Sequence, residues 1–178
     1  EKVVLPPFKP RRTEEEIIKE CPWATTGRMG RKHPNIITSL ELRSEEMEVI
    51  NLRIQKKYKE IEEKEVRFEE YLLDDAEYAI VAFGSAARIA KKSIEIARSQ
   101  GIKVGLLRPI TLWPFPTKEV QKLAGKVKGI LSLEINAGQM VEDIRLAVEG
   151  KVPVQHFGRL GGIIPDPDEV VDAIKRLF

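Results

Sequence analysis

The sequence predicts an α/β protein whose mostly parallel sheet is covered by helices on both faces. Between residues 65 and 178, strand-like and helix-like segments alternate and are joined by short turns, which is typical of right-handed crossovers in a parallel sheet. Residues 78–83 are continuously apolar, as expected of a strand buried on both faces. With 178 residues, 42% of them hydrophobic, the chain can form a sizeable core in one domain with appendages.

Residues 1–43 are predicted to form an extended arm or linker. Five of the eleven prolines lie there, and such a segment must lie on another surface to be ordered. The exception is a short helix over residues 13–19, where Thr13 and Glu16 have the spacing of a capping box. Because the chain begins with Glu1 and not with Met, we interpret it as a piece of a longer polypeptide, with a trimmed terminus as the alternative.

Residues 44–64 are predicted to form an amphipathic helix of roughly five to six turns that opens the domain of residues 44–178. Ser44 can cap this helix. Its apolar stripe consists of Met47, Ile50, Ile54, Tyr58 and Ile61. The run is too short for a coiled coil, so a helix packed on the domain is favoured.

The α/β core of residues 65–178 contains five predicted strands. They cover residues 66–73, 78–83, 103–107, 130–135 and 152–157. Ser85, Thr117 and Asp168 are expected to cap helices that follow three of these strands, and a further helix is predicted over residues 138–149. The connection between the first two strands is too short for a parallel crossover, so the first strand is antiparallel to the others or lies outside the sheet.

Composition excludes several classes of function. With 30 Lys and Arg against 28 Asp and Glu, the chain is not a nucleic-acid binder that acts through bulk charge. No run of 18 apolar residues exists, so a membrane span is not predicted. One cysteine and two separated histidines leave no disulfide framework and no predicted metal site. Without a signal-peptide pattern we expect a cytoplasmic protein, and the high Lys and Glu content indicates a heat-tolerant source.

Functional residues are expected at the carboxyl ends of the parallel strands, because ligands of open parallel sheets bind there. The loops after the second to fifth predicted strands hold candidates for contact with a ligand or an interface. These candidates are Gly84, Ser85, Arg88, Arg108, Pro109, Thr111, Trp113, Phe115, Asn136, Gly138, Gln139, Arg159, Gly161 and Gly162.

Two of these loops suggest different contacts. Residues 84–88 could cradle a phosphate at a helix N-terminus with Arg88 adding charge, although a tight turn is favoured because no established phosphate motif is present. In residues 107–116, three prolines stand beside Trp113 and Phe115. This stiff loop is interpreted as a subunit contact or as a loop packed on its own core, with a lid or a polyproline ligand as alternatives.

Residues that could carry catalysis lack suitable neighbours in the sequence. Glu134 would need a raised pKa and a nearby partner. His156 is expected to be a core histidine with a satisfied hydrogen bond, and Cys21 has no adjacent base. The basic cluster of Arg28, Arg31, Lys32 and His33 is interpreted as part of a solvated loop. The alternative is that it binds a ligand that carries a phosphate. We therefore predict no catalytic residue and no metal ligand.

Several segments together resemble one enzyme family. Residues 66–71, 75–77, 84–88 and above all 105–116 look like the carboxyl-terminal domain of the alpha subunit of 2-oxoacid:ferredoxin oxidoreductases, in the branch of the 2-oxoisovalerate and 2-oxoglutarate enzymes. The resemblance covers about residues 23–178. It implies a fold similar to the transketolase carboxyl-terminal domain, which is a three-layer α/β/α sandwich with a five-stranded mixed sheet and an antiparallel first strand.

The resemblance also implies a function. The family decarboxylates a 2-oxoacid oxidatively to an acyl-CoA, with thiamine diphosphate, Mg and iron–sulfur clusters passing electrons to ferredoxin. It implies that this chain binds none of these cofactors alone and is a non-catalytic assembly domain. The implied partners are the remaining alpha-subunit domain, the beta subunit and, indirectly, ferredoxin. The alternative is a stand-alone module that binds CoA or a nucleotide through Ser85, Arg88 and the Gly161–Gly162 turn.

Overall fold

The computed structural model describes residues 4–177. The predictions for residues 1–3 and for Phe178 lie outside the described residues. The chain divides into two compact units, Glu1–Leu52 and Arg53–Phe178. Within residues 4–177, no helix is both long enough and apolar enough to cross a membrane.

The first unit contains the helix α1 (Glu14–Glu20). The backbone N–H of Glu16 donates to the Thr13 hydroxyl at 3.2 Å, and the Thr13 N–H donates to the Glu16 carboxylate at 2.8 Å. These two hydrogen bonds confirm the predicted capping box. In residues 4–52 no side chain is buried, so the described part of this unit has no core of its own.

The helix α2 (Ser44–Lys64) has the predicted bounds. None of its residues is fully buried. Four members of the predicted stripe, Met47, Ile50, Ile54 and Ile61, are half-buried. The fifth, Tyr58, is 42% exposed.

The second unit is built on a five-stranded sheet in the order β1-β3-β2-β4-β5. Its strands are β1 (Phe68–Tyr71), β2 (Tyr78–Val81), β3 (Val104–Pro109), β4 (Gly129–Glu134) and β5 (Val154–Gly158). The edge strand β1 runs antiparallel to β3, and all other pairs are parallel. The short connection thus reflects an antiparallel first strand, which confirms the predicted sheet.

Four helices cover the sheet: α3 (Gly84–Ser99), α4 (Thr117–Ala124), α5 (Met140–Val148) and α6 (Pro167–Lys175). One core cluster joins α3 and α6 to the sheet through residues such as Ile94 and Ile174. A second joins α4 and α5 to the sheet through residues such as Val120 and Ile144. The three-layer α/β/α sandwich is therefore confirmed.

Three predicted helix caps are wrong. The helix α3 begins at Gly84, one residue before Ser85, with Phe83 at the N-cap and no side-chain hydrogen bond. Thr117 is likewise the first residue of α4, behind Pro116. The capping box of α6 is formed by Asp166 and Glu169, not by Asp168, because Pro167 lacks an N–H and is suited to the first helical position.

The predicted helix over residues 138–149 is also too long. The helix α5 begins at Met140, because Gly138 has φ +106°, a backbone angle outside the helical region. At the other end Glu149 is left-handed with φ 52°.

The link between β1 and β2 lies tightly over the start of β3. The Arg98 guanidinium donates to the carbonyls of Leu72 at 2.7 Å and Val104 at 2.8 Å, and pairs with the Asp75 carboxylate at 2.7 Å. A Cβ atom at Gly105 would overlap the Leu72 carbonyl. Glycine at this position therefore permits the close approach that seats β1 beside β3.

Candidate functional site

The carboxyl edge of the sheet is the candidate site. We use this name for the loops of residues 82–85, 110–116, 135–139 and 159–164, which follow β2, β3, β4 and β5. These four strands are parallel, so their carboxyl ends meet at one edge. The start of β1 lies there as well, because Phe68 pairs with Pro109.

The last residue of β4, Glu134, is buried at 1% exposure. Its carboxylate accepts the backbone N–H groups of Gln139 at 3.1 Å, Met140 at 2.9 Å and Val141 at 2.9 Å. It also accepts the Ser132 hydroxyl at 2.9 Å. The carboxylate therefore satisfies donors at the N-terminus of α5 that have no partner within the helix.

These contacts set the ionisation of Glu134. Burial by itself raises the pKa of the Glu134 carboxyl, but the hydrogen bonds from the Met140 N–H, the Ser132 hydroxyl and the Gln139 N–H outweigh burial and lower it. A general acid would need a raised pKa at neutral pH. Glu134 is instead an ionised structural acceptor, so the catalytic alternative raised for it is not supported.

The loop after β4 is shaped by further local contacts. The Asn136 side-chain oxygen accepts the Gly138 N–H at 2.7 Å, and Gln139 uses its N–H on Glu134. The His156 ring lies against Gly138. Among residues 4–177 the buried Nε2 atom of His156 finds no hydrogen-bond partner. The prediction that this histidine has a satisfied hydrogen bond is therefore wrong.

Two of the predicted arginines are held by carboxylates of this chain. The Arg108 guanidinium binds Glu69 at 2.7 Å, and Lys91 binds the same carboxylate at 2.6 Å. The pKa of Glu69 is lowered by the hydrogen bonds from Lys91 and Arg108. The Arg159 guanidinium binds Glu169 at 3.0 Å. Both cations are therefore engaged within the fold.

The first loop of the edge is different. Gly84 has φ +57° and, with Ser85, is exposed. Arg88 is an exposed residue, and its guanidinium makes no hydrogen bond or ion pair with the part of the chain that the structure describes. Of the three arginines predicted for the site, Arg88 alone is free of such a partner within that part.

The loop of residues 110–116 is pinned to the residue before β1. The Thr111 hydroxyl accepts the Arg67 N–H at 3.0 Å and donates to the Pro114 carbonyl at 3.0 Å. The Arg67 carbonyl in turn accepts the Ile110 N–H at 2.9 Å. Thr111 is thus a structural clamp within the loop.

The two aromatic residues of this loop support both a loop packed on its own core and a subunit contact. Phe115 packs on the core cluster beneath α4 and α5. Trp113 is 55% exposed and contacts the Tyr58 ring edge to face, with 5.4 Å between centroids. The loop is therefore anchored in its own core and still presents a large apolar side chain.

A groove of about 750 Å³ runs between the end of α2 and this loop. Its lining includes Lys59, Glu62, Phe68, Trp113, Phe115 and Lys118. Neither Tyr58 nor Phe68 was among the predicted site residues. The apolar stripe of α2 was the available signal for Tyr58.

Apolar side chains are exposed in three of the four loops of the carboxyl edge. They are Ile110, Leu112, Trp113, Ile135, Leu160, Ile163 and Ile164. Gly161 and Gly162, with φ +62° and +83°, form the exposed turn between Leu160 and Ile163. Large exposed apolar patches mark interaction sites, and the sequence analysis singled out only Trp113 of this group.

The metal cofactors implied by the family resemblance find no matching group of side chains among the described residues. Within residues 4–177, no group of three or more His, Cys, Asp or Glu side chains is placed to hold a metal ion. An iron–sulfur cluster requires several cysteine thiolates, and the sequence contains one cysteine. The single cysteine of this chain therefore cannot hold such a cluster by itself.

The sheet order, the antiparallel edge strand and the two helical layers define an α/β domain of the transketolase carboxyl-terminal type. The fold is similar to that of a 2-oxoglutarate:ferredoxin oxidoreductase from Magnetococcus marinus, with a TM-score of 0.68 and 20% identity over 86% of this chain and 28% of that chain. It is also similar to a split-gene transketolase, with a TM-score of 0.53 and 16% identity over 61% of this chain and 41% of that chain.

Residues 76–170 match the family of the pyruvate:ferredoxin oxidoreductase core domain II, and the chain belongs to this family. It is 42% identical over 172 residues to the ketoisovalerate oxidoreductase subunit VorB of Methanothermobacter thermautotrophicus. That alignment covers 95% of this chain and 48% of the relative. The chain thus spans about half the length of this curated relative, and the resemblance inferred from the sequence is confirmed.

Proposed function

We propose that this chain is part of the alpha subunit of a thiamine-diphosphate-dependent 2-oxoacid:ferredoxin oxidoreductase. The complete enzyme would release the carboxylate of a 2-oxoacid as CO₂, transfer the acyl group to CoA and pass two electrons singly to ferredoxin. Support comes from the family match over residues 76–170. The likeness to a ketoisovalerate oxidoreductase subunit along 95% of the chain favours the branch that acts on 2-oxoisovalerate or 2-oxoglutarate.

Within that enzyme the chain acts as an assembly domain. Its ionised Glu134 is committed to backbone donors, and its one cysteine is too few for a cluster. Thiamine diphosphate, Mg and the iron–sulfur clusters are held by the remaining alpha-subunit domain and the beta subunit. Residues 44–178 form the domain, and residues 1–43 form an arm that lies along these neighbours.

The carboxyl edge is the proposed contact face. The observation that carries this role is Trp113, which is 55% exposed on a loop that Thr111 holds in place. A large side chain on a rigid support loses little conformational entropy when a partner covers it. Arg108 and Arg159 are already paired, which leaves Arg88 as the free arginine among the predicted contact residues. The exposed Ile110, Leu112 and Ile163 add apolar surface beside Trp113, and a mixed surface of this kind suits a protein partner.

The Trp113→Ala variant of the complete complex tests this role. We expect weaker subunit association by a factor of ten or more, since buried tryptophans commonly act as hot spots of about 2 kcal/mol or more. Native mass spectrometry across a dilution series measures it. Leu146→Ala is the matched control, because Leu146 is 80% exposed on α5 outside the carboxyl edge. Unchanged stoichiometry and activity of the Trp113 variant would contradict the proposal.

A further inference from the structure

The sheet has a switch point between β2 and β4. These strands are neighbours, but the chain leaves β2 into α3 on one face and leaves β4 into α5 on the other. In open α/β sheets such a point forms the crevice in which ligands bind. Anionic ligand groups are held there by free backbone N–H groups at a helix N-terminus.

In this chain a carboxylate of the protein lies on the α5 side of that switch point. Glu134 ends β4 and accepts the N–H groups of Gln139, Met140 and Val141 at 2.9–3.1 Å. The Ser132 hydroxyl completes the set of donors at 2.9 Å. At 1% exposure, the carboxylate lies where the anionic group of a ligand would be held.

We infer that Glu134 is a built-in anion that fills the anion-binding position at the N-terminus of α5, beside the switch point, and holds residues 135–139 in one conformation. The negative charge lies at the positive end of α5, which stabilises it. The donors that would hold a phosphate or carboxylate of a ligand are already used. The inference goes beyond the proposed reaction and stands independently of it, because it rests on the contacts of Glu134.

Removal of the Glu134 carboxylate should create an anion-binding site at the N-terminus of α5. Glu134→Ala in the full 178-residue chain leaves the three N–H donors and the Ser132 hydroxyl around an empty space the size of a small carboxylate. We expect formate to raise the melting temperature of this variant in a dose-dependent manner, since a ligand that binds only the folded state stabilises it. Sodium chloride at equal ionic strength should give no such rise.

Amide NMR locates the effect. In the Glu134→Ala variant, formate should shift the amide resonances of Gln139, Met140 and Val141, and in the unsubstituted chain it should leave them in place. Glu142→Ala is the matched control, because Glu142 is an exposed carboxylate in the first turn of the same helix. That variant should show no response to formate.

The nearly isosteric Glu134→Gln variant should not respond to formate, because the glutamine side chain still fills the space. It should also melt at a lower temperature, because the glutamine NH₂ group faces hydrogen-bond donors where the carboxylate had an acceptor oxygen. If neither variant folds, the unsubstituted chain still decides the matter. Its Glu134 side-chain carbon should keep the chemical shift of an ionised carboxylate below the pH at which exposed glutamates protonate. A folded Glu134→Ala variant that ignores formate would overturn the inference, as would formate shifts at these amides in the unsubstituted chain.

Discussion

The Trp113 indole meets the Tyr58 phenol ring edge to face, with 5.4 Å between the centroids and 75° between the ring planes. This contact joins the end of α2 to the loop after β3. In the sequence, the strands β1, β2 and β3 lie between these two elements. Trp113 is nevertheless 55% exposed. The same residue therefore contributes to the fold and is available to a partner.

Tyr58→Ala should lower the free energy of unfolding, because the edge-to-face pair is worth about 0.5–1.5 kcal/mol beyond the area it buries. Urea unfolding of the single variants and of the Tyr58→Ala, Trp113→Ala double variant measures the coupling. Tyr58→Phe keeps the ring and is the control, with little expected change. Strict additivity of the two alanine substitutions would show that the contact contributes nothing.

Gly105→Ala should be strongly destabilising, because its Cβ would overlap the Leu72 carbonyl. The overlap involves backbone and cannot be relieved by a rotamer change, so we expect a loss of about 1–3 kcal/mol or more. The matched control is Gly125→Ala at the end of α4, where the backbone is right-handed and the nearest contact of a Cβ is 3.4 Å. Thermal unfolding compares them, and equal melting temperatures would refute the close approach.

The lowered pKa of Glu134 predicts an acid-sensitive contribution to stability. A carboxyl with a lower pKa in the folded state stabilises the fold above its unfolded pKa, and that contribution is lost as the pH falls through the folded pKa. Stability should therefore fall from about the ordinary glutamate value of 4.5 downward. Urea unfolding from pH 7 to pH 3 should show a smaller pH dependence for Glu134→Gln. An identical pH dependence in both proteins would contradict this assignment.

The isolated chain should not bind CoA with a dissociation constant below about 100 μM, which corresponds to roughly −5.5 kcal/mol. Glu134 occupies the donors at α5, and Arg108 and Arg159 are paired with carboxylates. Calorimetric titration with CoA measures the affinity. Tighter binding that Arg88→Ala abolishes would instead favour the alternative of a nucleotide-binding module.

Periodicity and connection lengths predicted the layers of the domain well. The apolar run at β2 and the short link before it were sufficient to predict the buried strand and to restrict the position of the antiparallel β1. These features depend on neighbours in sequence. The amphipathic pattern of residues 44–64 likewise predicted the bounds of α2, because one long stripe defines a helix without tertiary information.

The site was less accessible to sequence reasoning because its contacts are long-range or involve backbone. The acceptor role of Glu134 depends on the backbone N–H groups of residues 139–141. Every residue except proline carries such a group, so the side-chain types in the sequence do not indicate this contact. The pairing of Arg108 with Glu69 joins residues on neighbouring antiparallel strands. The wrong cap at Asp168 has a local cause, since Pro167 moves the cap to Asp166.

We propose that this sequence is an assembly domain of a larger oxidoreductase. Native mass spectrometry of the protein purified from its source organism tests it most directly. We expect the sequence within a longer polypeptide, bound to a second subunit together with iron and thiamine diphosphate. A free species near the 20.2 kDa of this chain, without a partner, would contradict the claim.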